Sequence, residues 1–267
     1  MFGKWCRPNY NSVTATFCHN IAHDLPISIS DPNRELDLVY IDDVVAAFIA
    51  VLEEKSEVRS QKAAAVEFRE VPRSFKVTLG ELAARIRSFR ESRRTLVLPD
   101  FSDDFNRCLY ATYLSYLDGP DFAYRLDQKT DPRGTLAEFV KSATAGQIFV
   151  SRTKPGVTRG NHYHHTKTEK FLVVEGEAVI RFRSVASQGQ GAKGEEERRT
   201  SNVEHPGLNA EVIEHKVSGR EFRVVDIPPG YTHSIENVGS GELVTLFWAS
   251  EVFDPERPDT FPLNVLG

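Results

Sequence analysis

Cysteine is scarce in this chain. Cys6, Cys18 and Cys108 are the only three in 267 residues, an odd number with no CxxC spacing. That excludes a disulfide framework and predicts reduced thiols in a cytoplasmic protein. An excess of basic charge is missing too. The formal net charge of -5 offers no positive field to a phosphate backbone, so no nucleic-acid partner is expected. Long apolar runs are also absent. None approaches the ~20 residues that span a bilayer, and the opening Met1-Phe2-Gly3-Lys4-Trp5 lacks the apolar core of a signal peptide. No membrane partner is expected. What is present is 40% hydrophobic residues, enough for packed cores, in a length that suits one large domain or two ordinary ones.

The two halves are patterned differently. Ser12 to His23 has helical periodicity, with Asn11 or Ser12 as its cap and Pro26 beyond its end. Asp42 to Glu54 sets Val44, Val45, Phe48, Ile49 and Leu52 on one helical stripe, with Asp42 and Asp43 at the positive end. Thr78-Leu79-Gly80-Glu81 reads as a capping box, ahead of a helix that buries Leu82, Ile86 and Phe89. Cys108 to Leu117 predicts another short helix, and Ile27 to Ser30 and Leu36 to Ile41 predict strands. From Thr130 onward short β-branched and aromatic runs take over: Gln147 to Thr153, Lys170 to Val174, Ala178 to Phe182, Phe222 to Asp226 and Leu243 to Trp248. Turn signals such as Pro155-Gly156, Glu175-Gly176 and Pro228-Pro229-Gly230 bound them, which predicts a β-sandwich or barrel. The boundary is expected near Gln128, giving parts 1–127 and 128–267. Residues 186–205, rich in Gly, Gln and charge, predict a mobile hairpin insertion.

One segment carries most of the chemistry, Gly156 to Phe171, which reads GVTRGNHYHHTKTEKF. Alternation along a strand points His162 and His164 the same way and His165 the other. Glu169 follows beyond a turn, and His233 comes after Ile227-Pro228-Pro229-Gly230-Tyr231-Thr232. Three imidazoles and a carboxylate suit a divalent metal, Zn²⁺, Fe²⁺, Mn²⁺ or Ni²⁺, with a position left for substrate. The same histidines would also serve to satisfy buried hydrogen bonds without a metal.

These residues resemble the cupin superfamily. Its first motif is Gly, five residues, His-x-His, three or four residues, Glu, six residues, Gly; Gly156, His162, His164, Glu169 and Gly176 match each fixed position. Its second motif is Gly, five residues, Pro-x-Gly, two residues, His, three residues, Asn; Pro228, Gly230, His233 and Asn237 match, while Phe222 stands at the opening glycine. Asp131-Pro132-Arg133-Gly134-Thr135-Leu136-Ala137-Glu138 is similar to the entry segment of sugar-nucleotide cupins, which marks Arg133 as a substrate contact. The resemblance implies an all-β jelly-roll barrel with His162, His164, Glu169 and His233 on the metal, zinc foremost.

The first half resembles the C-terminal, substrate-binding half of an extended short-chain dehydrogenase, an α/β fragment. The likeness lies in Gly3 to Val13 (GKWCRPNYNSV) and Leu38 to Val45 (LVYIDDVV). It makes Arg7 and Asn9 candidate contacts to a sugar diphosphate, for which Arg offers a forked donor. A dehydrogenase joined to a C-terminal cupin resembles the bifunctional capsular polysaccharide enzymes of the N-acetyl-L-fucosamine pathway. Residues 1–50, Val77 to Phe89, Leu109 to Leu117, Asn161 to Val174 and Trp248 to Phe261 carry that likeness. In that family the cupin epimerises carbon 3 of a UDP-linked 4-keto-6-deoxy-N-acetylhexosamine and the dehydrogenase reduces the ketone with NADPH. The dehydrogenase-like half, 1–127, has neither a Gly-rich cofactor turn nor a Tyr-x-x-x-Lys pair. No cofactor-binding residue is therefore assigned, and reduction is expected only if the missing half is supplied. A homodimer through the cupin, or pairing with a separate N-terminal half, is expected. Tyr231 and Lys167 are the candidates for the acid–base pair. The competing readings are a non-catalytic sugar-nucleotide scaffold, a cupin dioxygenase with Fe²⁺, and a fragment of the full bifunctional enzyme.

Overall fold

The structure is a computed structural model that describes residues 1–57, 68–185 and 211–267. These fall into two compact units, Met1–Tyr124 and Arg125–Gly267. The expected hairpin insertion at 186–205 lies outside the described residues.

The first unit runs α1 (Val13–Ala22), β1 (Glu35–Leu38), α2 (Ile41–Glu57), β2 (Phe75–Thr78), α3 (Leu79–Thr95) and α4 (Asp104–Leu114). Local chemistry sets the helix starts. Ser12 caps α1 by accepting from the Ala15 amide. Thr78 and Glu81 exchange both hydrogen bonds of a capping box at α3. One face of α3, with Leu82, Ala83, Ile86 and Phe89, packs in a core with Phe17 and Cys18 of α1 and Leu109 and Tyr113 of α4. β1 and β2 pair antiparallel, and Phe2 bridges to Tyr40 in parallel.

Two expectations are corrected here. Ile27 to Ser30 is not a strand: among the described residues no strand pairs with it, and Ile27 and Ile29 only lean on the core. α4 begins at Asp104 rather than Cys108, because the Asp103 carboxylate accepts from the Phe105 amide and caps it. The stripe on α2 exists but is not buried. Val45, Phe48, Ile49 and Leu52 remain 48% to 68% exposed, which leaves an apolar helix face bare among the described residues. No described helix is long and apolar enough to cross a membrane.

The second unit is two antiparallel sheets. β3 (Gln128–Asp131), β4 (Gly134–Ser142), β5 (Gly146–Thr153), β7 (Glu169–Glu175), β10 (Val224–Ile227) and β12 (Leu243–Ala249) form the first, in the order β10-β7-β12-β5-β4-β3. β6 (Thr158–Tyr163), β8 (Glu177–Ser184), β9 (Ile213–Ser218), β11 (Tyr231–Asn237) and β13 (Phe261–Pro262) form the second, in the order β13-β6-β11-β8-β9. Alternating residues from both sheets make one interior, among them Phe171, Val173, Ile180, Phe182, Ile235 and Phe247.

A bulge between β6 and β11 places the functional side chains. His162 pairs with His233 and Gly160 with Ser234, so Asn161 is an extra residue on β6. Gly160 and Asn161 both have positive φ, 96° and 60°. A Cβ on Gly160 would meet the His233 carbonyl oxygen at 2.7 Å, so the strand approaches closely only because this residue is glycine. Beyond the bulge Arg159 pairs with the core residue Ile235, which turns it to the same interior as His162. Phe222 takes the left-handed backbone, φ 45°, that the motif's glycine would supply, with its ring 65% exposed.

Gly160→Ala should lower barrel stability by roughly 1–3 kcal/mol through backbone overlap and a strained φ. Urea unfolding monitored by circular dichroism reads this directly. An unchanged midpoint would show that the bulge tolerates a side chain.

Candidate metal centre

Four side chains from three strands and a loop meet inside the barrel. His162 is near the end of β6, His164 lies just past it, Glu169 opens β7 and His233 is the third residue of β11. One ligand atom from each falls within 4.8 Å of every other. Nε2 of His164 and Nε2 of His233 are each 3.3 Å from Oε2 of Glu169. Neither contact has the alignment of a hydrogen bond, and both nitrogens are buried with no hydrogen-bond partner among the described residues. Two atoms held about 2.1 Å from one ion at a tetrahedral angle lie about 3.4 Å apart. The spacing and the orphaned nitrogens fit a metal better than a hydrogen-bonded cluster.

The far side of each ring explains its direction. Nδ1 of His164 donates to the backbone carbonyl of Asp259, and Nδ1 of His233 donates to that of Tyr231 at 3.3 Å. A carbonyl can only accept, so the proton sits on Nδ1 and the Nε2 lone pair faces the cluster. Burial, reinforced by the neighbouring His233 and His164, pushes His162 down to about 4, which keeps it neutral near pH 7. The donor set is thus imidazole nitrogen and carboxylate oxygen, suited to Zn²⁺, Fe²⁺, Mn²⁺ or Ni²⁺.

The other anticipated residues are more dispersed. Tyr231 packs against the barrel core one residue before Thr232-His233. Lys167 is 5% exposed, with its ammonium 3.3 Å from the Thr260 hydroxyl and 4.0 Å from the Glu251 carboxylate. Arg133 is exposed in a turn, its guanidinium on the Asp131 carboxylate at 2.6 and 3.0 Å. Arg7 is exposed over the Tyr10 ring. Asn9 lines a surface hollow of about 620 Å³ with Ser12, Thr16, Asn20 and Ser28. Asn237, a motif position, is structural: its amide donates to the Thr153 and Gly241 carbonyls.

Two residues near the centre escaped the sequence reading. Arg159 lies inside the barrel, its Nε on the Thr153 hydroxyl at 2.9 Å and one terminal nitrogen buried without a hydrogen bond. The Gly160-Asn161 pair was the available signal, since both tolerate the positive φ of a bulge. Asp259 reaches the ligand loop from the C-terminal segment. Burial alone would raise its carboxyl, but donors from His165, Lys167 and Thr166 hold it well below the usual range. No local pattern could have linked it to a loop so far away in sequence.

Comparison with known proteins agrees with this architecture. The chain matches the family described as Polysaccharide biosynthesis C-terminal domain over residues 129–207 and 193–261. It is 42% identical over 265 residues to a UDP-2-acetamido-2,6-beta-L-arabino-hexul-4-ose reductase of Pseudomonas aeruginosa, covering 99% of this chain and 63% of that protein. It is 45% identical to the capsular polysaccharide assembling protein CapF of Staphylococcus aureus, whose crystal structure superimposes with a TM-score of 0.81 over 98% of this chain and 64% of that one. A second crystal form of that protein gives 0.82, with 68% of its chain covered. The chain therefore spans just under two thirds of the curated reductase it matches. Its fold is mostly β with a few helices, of the cupin type seen in CapF.

The depressed His162 sets a pH dependence for the metal-free protein. Between about 4 and the unperturbed 6.5, the unfolded chain binds a proton that folded His162 does not. Stability therefore rises with pH across this window and falls on acidification. Urea midpoints after chelation should be lower at pH 5 than at pH 7, and His162→Gln should shrink the difference. Equal midpoints in the unmodified chain would contradict it.

Proposed function

We propose, because the chain belongs to the family of the capsular polysaccharide assembling protein CapF, that its barrel is a divalent-metal epimerase centre. Its substrate would be a UDP-linked 4-keto-6-deoxy-N-acetylhexosamine destined for capsule synthesis, and the inverted centre carbon 3. In this reading 1–127 is the substrate-binding part of a short-chain dehydrogenase and 128–267 is the cupin. The single observation that carries it is the convergence of His162, His164, Glu169 and His233, two of them with buried and unpartnered Nε2 atoms. The relative's name, a reductase of a UDP-linked hexul-4-ose, supports a ketone at carbon 4.

The chemistry follows from the ketone. A C–H bond next to a carbonyl is acidic because the anion delocalises onto oxygen. A cation held by the four ligands would stabilise that negative charge. The chain's own task is to remove the carbon 3 proton from one face and return one to the other. Tyr231, on the ligand strand β11, and Lys167, in the ligand loop, are the pair we assign to it. In the barrel Arg133 is assigned to the sugar diphosphate, which would exchange there with the Asp131 carboxylate; in the first unit Arg7 and Asn9 are assigned to the diphosphate of that unit's own substrate. NADPH would enter only where a cofactor-binding half is supplied, and the bare stripe of α2 is an apolar surface available to it.

The barrel also carries a surface suited to a second copy of itself. On the outer face of the larger sheet Val224, Leu172, Leu246 and Val150 lie in register across four strands, beside Trp248, Ile148 and Val140. We assign a homodimer to this face, since a two-fold interface buries the same apolar patch on both copies. Leu246→Glu should then halve the mass seen by light scattering. A monomer before the substitution would contradict the assignment.

Proton exchange tests the reaction itself. With the 4-keto sugar nucleotide in deuterated buffer, deuterium should enter carbon 3, and His162→Ala or chelation should lower the rate by at least about 100-fold. Tight metal binding without exchange would leave a binding role and remove the epimerase.

A further inference from the structure

The C-terminal segment after β12 does more than close the barrel. Asp259 sits in it, ninety-five positions from His164, and two groups of this one residue act on the ligand loop. Its backbone carbonyl accepts from Nδ1 of His164. Its carboxylate accepts from the amides of His165, Thr166 and Lys167, each at 2.8 Å, and from the Thr166 hydroxyl at 3.0 Å. The next residue, Thr260, receives the Lys167 ammonium at 3.3 Å. β13 then pairs Phe261 with Tyr163 and Pro262 with His162. The Leu263 amide donates to the Asn161 carbonyl in the bulge at 2.9 Å, and the Leu263 carbonyl accepts from Thr232, next to His233. Val265, fully buried, anchors the end.

We propose that Asp259 is a positioning residue for the metal centre: by gathering the 165–167 amides while its carbonyl holds Nδ1 of His164, it fixes the tautomer and direction of that ligand. Without the carboxylate, three amides of a tight loop lose their common acceptor, and the loop no longer keeps His164 under the Asp259 carbonyl. Outer groups that orient a metal-bound imidazole characteristically govern affinity in this way. The inference rests on the metal-centre reading for what His164 binds, but not for what orients it.

The test uses the full chain with Asp259→Asn, Asp259→Ala and the control Asp254→Ala. Asp254 caps a turn in the same segment through the Glu256 amide and does not touch the ligand loop. Zn²⁺ affinity is measured by competition with a chromophoric chelator. The tautomer of His164 is read in the metal-free protein by ¹⁵N NMR, and hydrogen exchange follows the 165–167 amides. Asp259→Asn keeps the shape but replaces one acceptor oxygen with an N–H₂ that faces either the His165 amide or those of Thr166 and Lys167. Both Asp259 variants should therefore bind Zn²⁺ roughly 10- to 100-fold more weakly, with a mixed His164 tautomer and faster exchange at 165–167, while the control matches the parent. Asp259→Asn with parental affinity and an intact Nδ1–H tautomer would overturn the proposal and reduce the segment to a cover. If the parent chain itself takes no Zn²⁺, the metal reading falls. The tautomer and exchange measurements then decide the role of Asp259 alone: altered signals sustain it and unaltered signals overturn it.

Discussion

Two imidazole nitrogens and a carboxylate oxygen are aimed at one buried point, and the remainder of the barrel depends on that arrangement. Each buried polar atom left without a partner costs about 1–3 kcal/mol. The chain could have avoided the cost by letting His164 and His233 hydrogen-bond through Nε2. Instead both rings spend their Nδ1 protons on backbone carbonyls and leave Nε2 unpartnered. Glu169 completes the set by bringing a carboxylate oxygen to the same point. A bound ion would offset that desolvation and would couple metal binding to barrel folding.

The fold positions this point with two backbone devices. The bulge at Gly160-Asn161 rotates β6 so that both Arg159 and His162 face inward, opposite Ile235 and His233. The C-terminal segment pairs antiparallel with the end of the same strand and holds the loop beyond it. Ligands drawn from both sheets are thereby fixed by backbone pairing, which is more rigid than placement on free loops.

Much of this was legible in the sequence. The spacing from Gly156 to Gly176 and from Pro228 to Asn237 marked the four side chains that converge, because the turns between short strands leave few alternative geometries. The capping box at Thr78 and the strand runs from Gln147 onward were equally plain, since they depend on neighbours in sequence. What could not be read depended on distant partners. Strict alternation hides Arg159, because a bulge resets the period of two. Asp259 carries no motif and gains its role only when the segment folds back. The stripe on α2 was read correctly as a pattern, but a pattern does not say whether anything covers it, and Phe48 and Leu52 stay exposed.

The central claim is that four side chains hold one cation, and metal content measures it most directly. After incubation with Zn²⁺ and removal of the excess, elemental analysis should find about one ion per chain, falling close to zero when His164 and His233 are both changed to alanine. A parent chain that retains no ion, or a double variant that retains it fully, would contradict the account.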